Sequence, residues 1–236
     1  MAAVRVSTTN PSLYLLLPSD LDGRLPEPAE RYRGALEEVV RWSREYLCHS
    51  HPDLGRAGPV CPYARPSLDK ELLWLTVHPG ADPPLDELAA EVAAYGRWFT
   101  RLPPTAGHDA QYKAILILLP DLPPDRAPAI IDTVHAAEKP GFVAEGLMLG
   151  QFYSTCDRPG VRNHAFRPLQ STVPLLTIRH MVAPDGGFLT DQARFLRAYL
   201  ARFGDAVPGR LQHTIDDAVV RLGGARPVPP TAHRGS

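Results

Sequence analysis

One histidine in this chain sits where an imidazole needs a partner. The stretch VPLLTIRHMVAPDGGFL, Val173 to Leu189, has the apolar run of a buried strand. Over Leu175 to Val182 successive side chains alternate between the two faces of such a strand. His180 then shares a face with Leu176, Ile178 and Val182, while Arg179 shares the other with Leu175, Thr177 and Met181. An imidazole among aliphatic neighbours must find a hydrogen bond, a metal or a cofactor. The plainer outcome, a core histidine bonded to backbone, is the commoner one. Company argues for chemistry: Cys61, Arg65, Arg162 and Arg179 all fall near predicted strand ends.

Cys61 stands between two prolines in PVCPYARP, Pro59 to Pro66, with Tyr63 and Arg65 following. Prolines fix the backbone and lower the cost of presenting one side chain. A thiol held so can be a nucleophile, a metal thiolate or part of a pocket wall. It can equally be a small buried hydrophobe in a loop entering the first strand. A nucleophilic cysteine needs a base, and His49 and His51 are close in sequence. Those two imidazoles, two residues apart, reach one metal only from an extended backbone. No third ligand has a matching spacing, and HExxH is absent. A second loop, Phe152 to Ser171, gathers Arg158, Arg162, Arg167, Asn163 and His164. Guanidinium forks suit carboxylates, and Arg162 and Arg167 are the strongest candidates for anion contacts. The alternative is a solvated loop in an arginine-rich chain. GxGxxG, GxxxxGK[ST] and GxSxG are absent, which disfavours dinucleotide, P-loop and α/β-hydrolase chemistry.

Regular elements must position these residues. A lead-in segment covers 1–27, with a short edge strand within Leu13 to Asp20 that Pro18 ends. A helix from about Glu27 to Leu47 carries Tyr32, Leu36, Val39, Val40, Ser43 and Leu47 at helical spacing. Cys48 to Asp69 is too rich in Pro and Gly for regular structure over most of its length. Strands come next at Leu72 to His78, Ala114 to Leu119, Leu147 to Tyr153 and in the Val173 stretch. Helices lie at Leu85 to Leu102, after Pro123-Pro124 as far as Lys139-Pro140-Gly141, at Thr190 to Phe203 and at Arg210 to Leu222. This order predicts an α+β or α/β fold. It is a single-domain sandwich over 28–223, with a mixed sheet of about four strands packed by helices and a disordered tail at 224–236. The core is expected from Leu73, Leu75, Ile115, Ile117, Leu147, Leu149, Leu176 and Ile178, backed by Leu88, Val92, Ile130 and Val134.

At 236 residues and 44% hydrophobic, the chain can build a core of that size. A net charge of -1 and a pI of about 6.8 offer no pull toward nucleic acid or membrane. No window approaches the ~20 apolar residues of a membrane span. Cys48, Cys61 and Cys156 are an odd count without CxxC spacing, so free thiols in a reducing cytoplasm are expected.

GLMLGQFYSTCDRPGVRNHAFRPLQSTVPLLTIRHMVAPDGGFL and GPVCPYARP together resemble an uncharacterised bacterial family, a domain of unknown function found mostly in actinobacteria. The resemblance spans about Asp53 to Ala201. A second resemblance is to YqcI/YcgG-like heme proteins, some of which N-hydroxylate small metabolites. It rests on Cys61-Pro62-Tyr63-Ala64, on Arg158 to Arg167, and on His180 with Phe188-Leu189. The paired arginines and the Asn-Pro-His of that family have no counterpart here. The heme resemblance implies His180 as axial ligand, Met148, Leu149 and Phe152 as an apolar wall, and Arg162, Arg167 and Arg179 as propionate partners. Cys61 and Arg65 would then be the catalytic candidates. The function expected is a heme-dependent oxygenase acting on a small amine or amino-acid-like metabolite in specialised metabolism, with an electron-donor protein as a candidate partner. Two alternatives stay open: a non-catalytic heme or small-molecule binding protein, and a cofactor-free enzyme with Cys61 as nucleophile.

Overall fold

In the computed structural model the described residues are 5–223, so the tail expected over 224–236 lies outside them. β1 (Arg5–Val6) and β2 (Tyr14–Leu15) make a short antiparallel ribbon. Leu16 exchanges two backbone bonds with Leu75, at 2.9 and 2.8 Å. Pro18 then stops the strand and opens a 3-10 turn over Pro18–Asp22.

A 3-10 turn at Ala29–Tyr32 leads into α1 (Arg33–Trp42), which widens into a π turn over Ser43–Leu47. Together they fill the span that helical spacing predicts as one helix from Glu27 to Leu47. Tyr32 donates its hydroxyl to Asp121 at 2.5 Å, which ties down the start of this helix. α2 (Ala64–Asp69) interrupts the long loop whose composition predicts mostly irregular backbone. Its Pro66 lies in the first turn, where a missing N–H breaks no helical bond.

β3 (Leu73–Val77), α3 (Leu85–Arg101) and β4 (Ala114–Leu118) form a parallel crossover. α4 (Ala127–Ala144), β5 (Leu147–Phe152) and β6 (Leu175–His180) come next, then α5 (Ala193–Phe203) and α6 (Gln212–Arg221). α4 runs through Pro140, where the sequence predicts its end. One proline removes one helical bond, and the helix resumes with Glu145 donating to Gly141. The stop comes at Gly146, in the left-handed region at φ 75°, the usual glycine after a helix.

The sheet order is β3-β4-β6-β5. β4 pairs antiparallel with β6, Ala114 opposite Arg179. Met181 donates to the Gly146 carbonyl at 2.9 Å, and a Cβ on Gly150 would meet the Thr177 Cβ at 3.7 Å. Both contacts have the same residue-number sum, so β5 also runs antiparallel to β6. This is the mixed four-strand α+β sheet that the element order predicts.

One sheet face presents Leu73, Leu75, Val77, Leu116, Leu118 and Leu175 to Leu36, Val39 and Val40 of α1. The opposite face carries Thr76, which shares a 2.7 Å hydrogen bond with Tyr95 of α3. Ile117 and Ile178 of that face are both 0% exposed, as the predicted core requires. Burying each such aliphatic contributes roughly 1.5–3 kcal/mol.

The described backbone gathers into two compact units, 5–139 with 148–180 and 140–147 with 181–223. Within the second, a Cβ on Gly186 would come 2.7 Å from the Tyr199 ring. Only glycine admits that approach, and it lets Tyr199 donate to the Ala183 carbonyl at 2.7 Å.

Candidate functional site

His180 ends β6 with its ring on the α3 side, 4.8 Å from the Phe99 ring centroid. Its Nε2 is buried and has no hydrogen-bond partner. Burial, reinforced by the Lys113 charge, pushes its pKa down to about 4, so the ring is a neutral imidazole at pH 7. Lys113 itself is fully buried. Its Nζ donates to the carbonyls of Phe99 at 2.9 Å, Leu102 at 2.5 Å and Pro104 at 2.9 Å. These carbonyls belong to the last turn of α3 and the exit after it, where acceptors lack helical partners and a cation is favoured. Burial pushes the Lys113 pKa down to about 8. All three ammonium hydrogens are used, so Lys113 acts as a structural cation. It is absent from the residues that sequence reasoning singles out. A lysine immediately before a wholly apolar strand is the signal that could have found it.

Arg179 points to the α1 side, as strand alternation requires, and its Nη1 donates to the His180 carbonyl at 3.0 Å. Arg162 and Arg167 lie elsewhere, in a seam between the loop that leaves α1 and the loop that precedes β6. Asn163 donates to the Asp53 carbonyl at 2.8 Å. Gly55 takes φ 71°, and a Cβ there would come 3.2 Å from that of Arg162. His51 stacks on Phe166 with centroids 4.6 Å apart and planes at 28°. Tyr46 meets the His51 ring edge-on at 6.2 Å and donates to the Pro168 carbonyl at 3.3 Å. Trp42 continues the aromatic file, 5.8 Å from Tyr46 and 5.6 Å from Phe152.

The donors of this seam are partly spoken for. His51 Nδ1 accepts the Asp53 N–H at 3.2 Å, which in the neutral ring leaves the hydrogen on Nε2. Arg167 Nη1 donates to the His164 carbonyl at 2.6 Å and to the Phe166 carbonyl at 3.3 Å. Arg162 is exposed. Arg56 closes on its own loop, donating to Ala57 at 3.0 Å and Val60 at 3.1 Å. Half-buried aromatic faces on loops that also carry an imidazole and two arginines can receive a planar or apolar body that ends in a carboxylate. The individual arginines are legible in the sequence. The His51–Phe166 stack is not, because it joins residues more than a hundred positions apart.

The start of the arginine loop is anchored from α4. Asp132 accepts Gln151 Nε2 at 2.5 Å and the Tyr153 hydroxyl at 3.0 and 3.1 Å. Gln151, Tyr153 and Cys156 are all buried, and burial raises the Cys156 thiol pKa. One turn along α4, His135 donates to the Leu149 carbonyl at 3.0 Å. Burial, then the Lys139 charge, takes its pKa down to about 4.

Cys61 is half-buried and Arg65 exposed. His49 turns its Nδ1 to the Arg44 carbonyl at 2.9 Å and His51 turns to Asp53, so each imidazole near Cys61 in sequence has another partner. Cys48, Cys61 and Cys156 are free thiols. Among the described residues no three His, Cys, Asp or Glu side chains form a metal-binding group.

The residues named for heme therefore divide. His180 has the neutral, partnerless nitrogen that an axial ligand requires, but Nε2 is closed in beside Phe99 on the α3 side of the sheet. Arg162 and Arg167 belong to the seam, which packs with the helix on the α1 side. As folded here they do not converge on one heme.

The family model described as a domain of unknown function (DUF6875) matches residues 36–214. No curated protein and no solved structure matches the chain. Among the described residues no helix is long and apolar enough to cross a membrane.

Proposed function

We propose that this chain, which belongs to the DUF6875 family, binds a small carboxylate-bearing metabolite at the seam between its two long loops. The observation that carries the proposal is the His51–Phe166 stack. It joins the loop that carries His51 to the loop that carries Arg162 and Arg167. The guanidinium groups would clamp the carboxylate, and Tyr46 and Trp42 would cover the body of the ligand. An amino-acid-like metabolite has both parts. The three free thiols support a reducing, cytoplasmic setting.

Calorimetry with benzoate, phenylacetate, L-phenylalanine and L-arginine tests this reading. At least one should bind. Arg162→Gln and Arg167→Gln should each weaken it by about 10- to 100-fold, the size of one charged hydrogen bond. His51→Phe keeps the stack but removes the N–H, and should weaken binding by a smaller factor. Unchanged affinity in all three variants would defeat the proposal.

A second reading is favoured by the partnerless Nε2 of His180. On it the protein is a heme-dependent oxygenase acting on such a metabolite, with His180 as axial ligand. Heme would supply oxygen activation, and an electron donor would be required. This chain's part would be to hold the neutral imidazole. Adding hemin to the purified protein should then give a Soret band that His180→Ala shifts or removes. Identical spectra and affinity for the two proteins would return His180 to the core.

A further inference from the structure

The loop that carries His51 is closed at its neck by two cysteines. Cys61 donates its backbone N–H to Leu47 at 2.8 Å, and Val60 donates to His49 at 2.8 Å. Cys48 lies between those two acceptors. One peptide of standard geometry added to the first bond puts the Cα atoms of Cys48 and Cys61 within about 7 Å of each other. Bridged cysteines sit roughly 4.4–6.8 Å apart. Cys48 is buried and Cys61 half-buried. Burial holds the Cys48 thiol above its usual range, while Arg65 pulls it down and Cys61 pushes it up.

We propose that Cys48 and Cys61 form a dithiol that peroxide converts to a reversible disulfide, stapling the neck of the loop that bears His51. The Cys61 thiolate attacks one peroxide oxygen. The O–O bond breaks, the hydroxide released takes up the thiol proton, and Cys61 becomes a sulfenic acid. The Cys48 sulfur then attacks the Cys61 sulfur. The S–S bond forms, the S–O bond breaks, and the hydroxyl leaves as water with the Cys48 proton. Two thiols are oxidised, and one peroxide is reduced to two waters. This device stands whether or not the seam binds a carboxylate, because its test needs no ligand.

Folded protein is treated with hydrogen peroxide, then denatured, alkylated with N-ethylmaleimide and digested. Cys48 and Cys61 should lose the label together and appear in one cross-linked peptide pair, lighter by two hydrogens, that dithiothreitol separates. Cys156 should keep its label. Cys61→Ser should leave Cys48 labelled, and Cys48→Ser should leave a sulfenic acid at Cys61 that dimedone traps. Trypsin cleavage of the folded protein after Arg56 should slow several-fold on oxidation. Cys61 over-oxidised while Cys48 remains labelled, or a cross-link that includes Cys156, would overturn the pairing.

Discussion

Two histidines in this molecule pack against phenylalanines, and they behave oppositely. His180 lies 4.8 Å from Phe99 at a tilt of 56°, with a buried nitrogen that bonds to nothing. His51 lies 4.6 Å from Phe166, nearly parallel, half-buried, with Nδ1 satisfied by Asp53. The first sits on a sheet that Lys113 and the end of α3 hold rigidly. The second sits where two loops meet over the end of the helix that carries Tyr46. An unpartnered buried nitrogen persists on the rigid side because the burial of the ring and of the strand around it offsets its cost. Donors that can reach a ligand collect on the side where backbone is free to shape itself to one.

The largest test of that contrast is Lys113. Lys113→Met leaves three carbonyls without their donor, and should cost at least about 3 kcal/mol in urea unfolding. A cost below about 1 kcal/mol would mean that the His180 side is not held as described.

Acid should separate the two regions next. His180 and His135 have folded pKa values of about 4, below the ~6.5 of an unfolded histidine. The unfolded chain therefore takes up protons first as pH falls. The stabilisation is complete above pH ~6.5 and is lost as pH falls through about 4. Each histidine contributes on the order of 3 kcal/mol to this window. His180→Phe should flatten part of this pH dependence, and His135→Phe another part.

At neutral pH His180→Phe should stabilise by about 1 kcal/mol, since it removes a buried unsatisfied nitrogen and keeps the ring. A loss of stability would reveal a partner for Nε2. Of similar size, Gly55→Ala forces a side chain into left-handed backbone against Arg162 and should cost roughly 1 kcal/mol. Its effect should appear as faster proteolysis of the seam while the core melts as before.

The scaffold is readable from local pattern, and the seam is not. Ala114 to Leu118 is apolar throughout because β4 is covered on both faces, so its limits can be placed within a residue. Leu176, Ile178 and His180 alternate as a strand demands, which fixes the face of His180 without knowledge of any contact. The extension of α4 through Pro140 is hidden, because a proline's local cost can be outweighed by the apolar face on either side of it. α2 is hidden because six residues starting Ala-Arg-Pro carry no repeat. Arg162 and Arg167 are recognisable as anion candidates, but their distance from His180 depends on which loop they meet. That is set by Gly55 and the Asn163–Asp53 bond, and neither leaves a periodic trace.

The π turn at Ser43–Leu47 is, in effect, a phase shift. Cys48 donates to Ser43 across five residues, at 3.1 Å, so one residue is absorbed without advancing the helix. Deleting a single residue from that turn would restore ordinary winding and leave the downstream loop in phase, whereas the same deletion within α1 would rotate that loop by about 100°. Only the second would swing Cys48 away from Cys61 and take His51 out of alignment with Phe166. The turn therefore marks the one place where this helix tolerates a change of length.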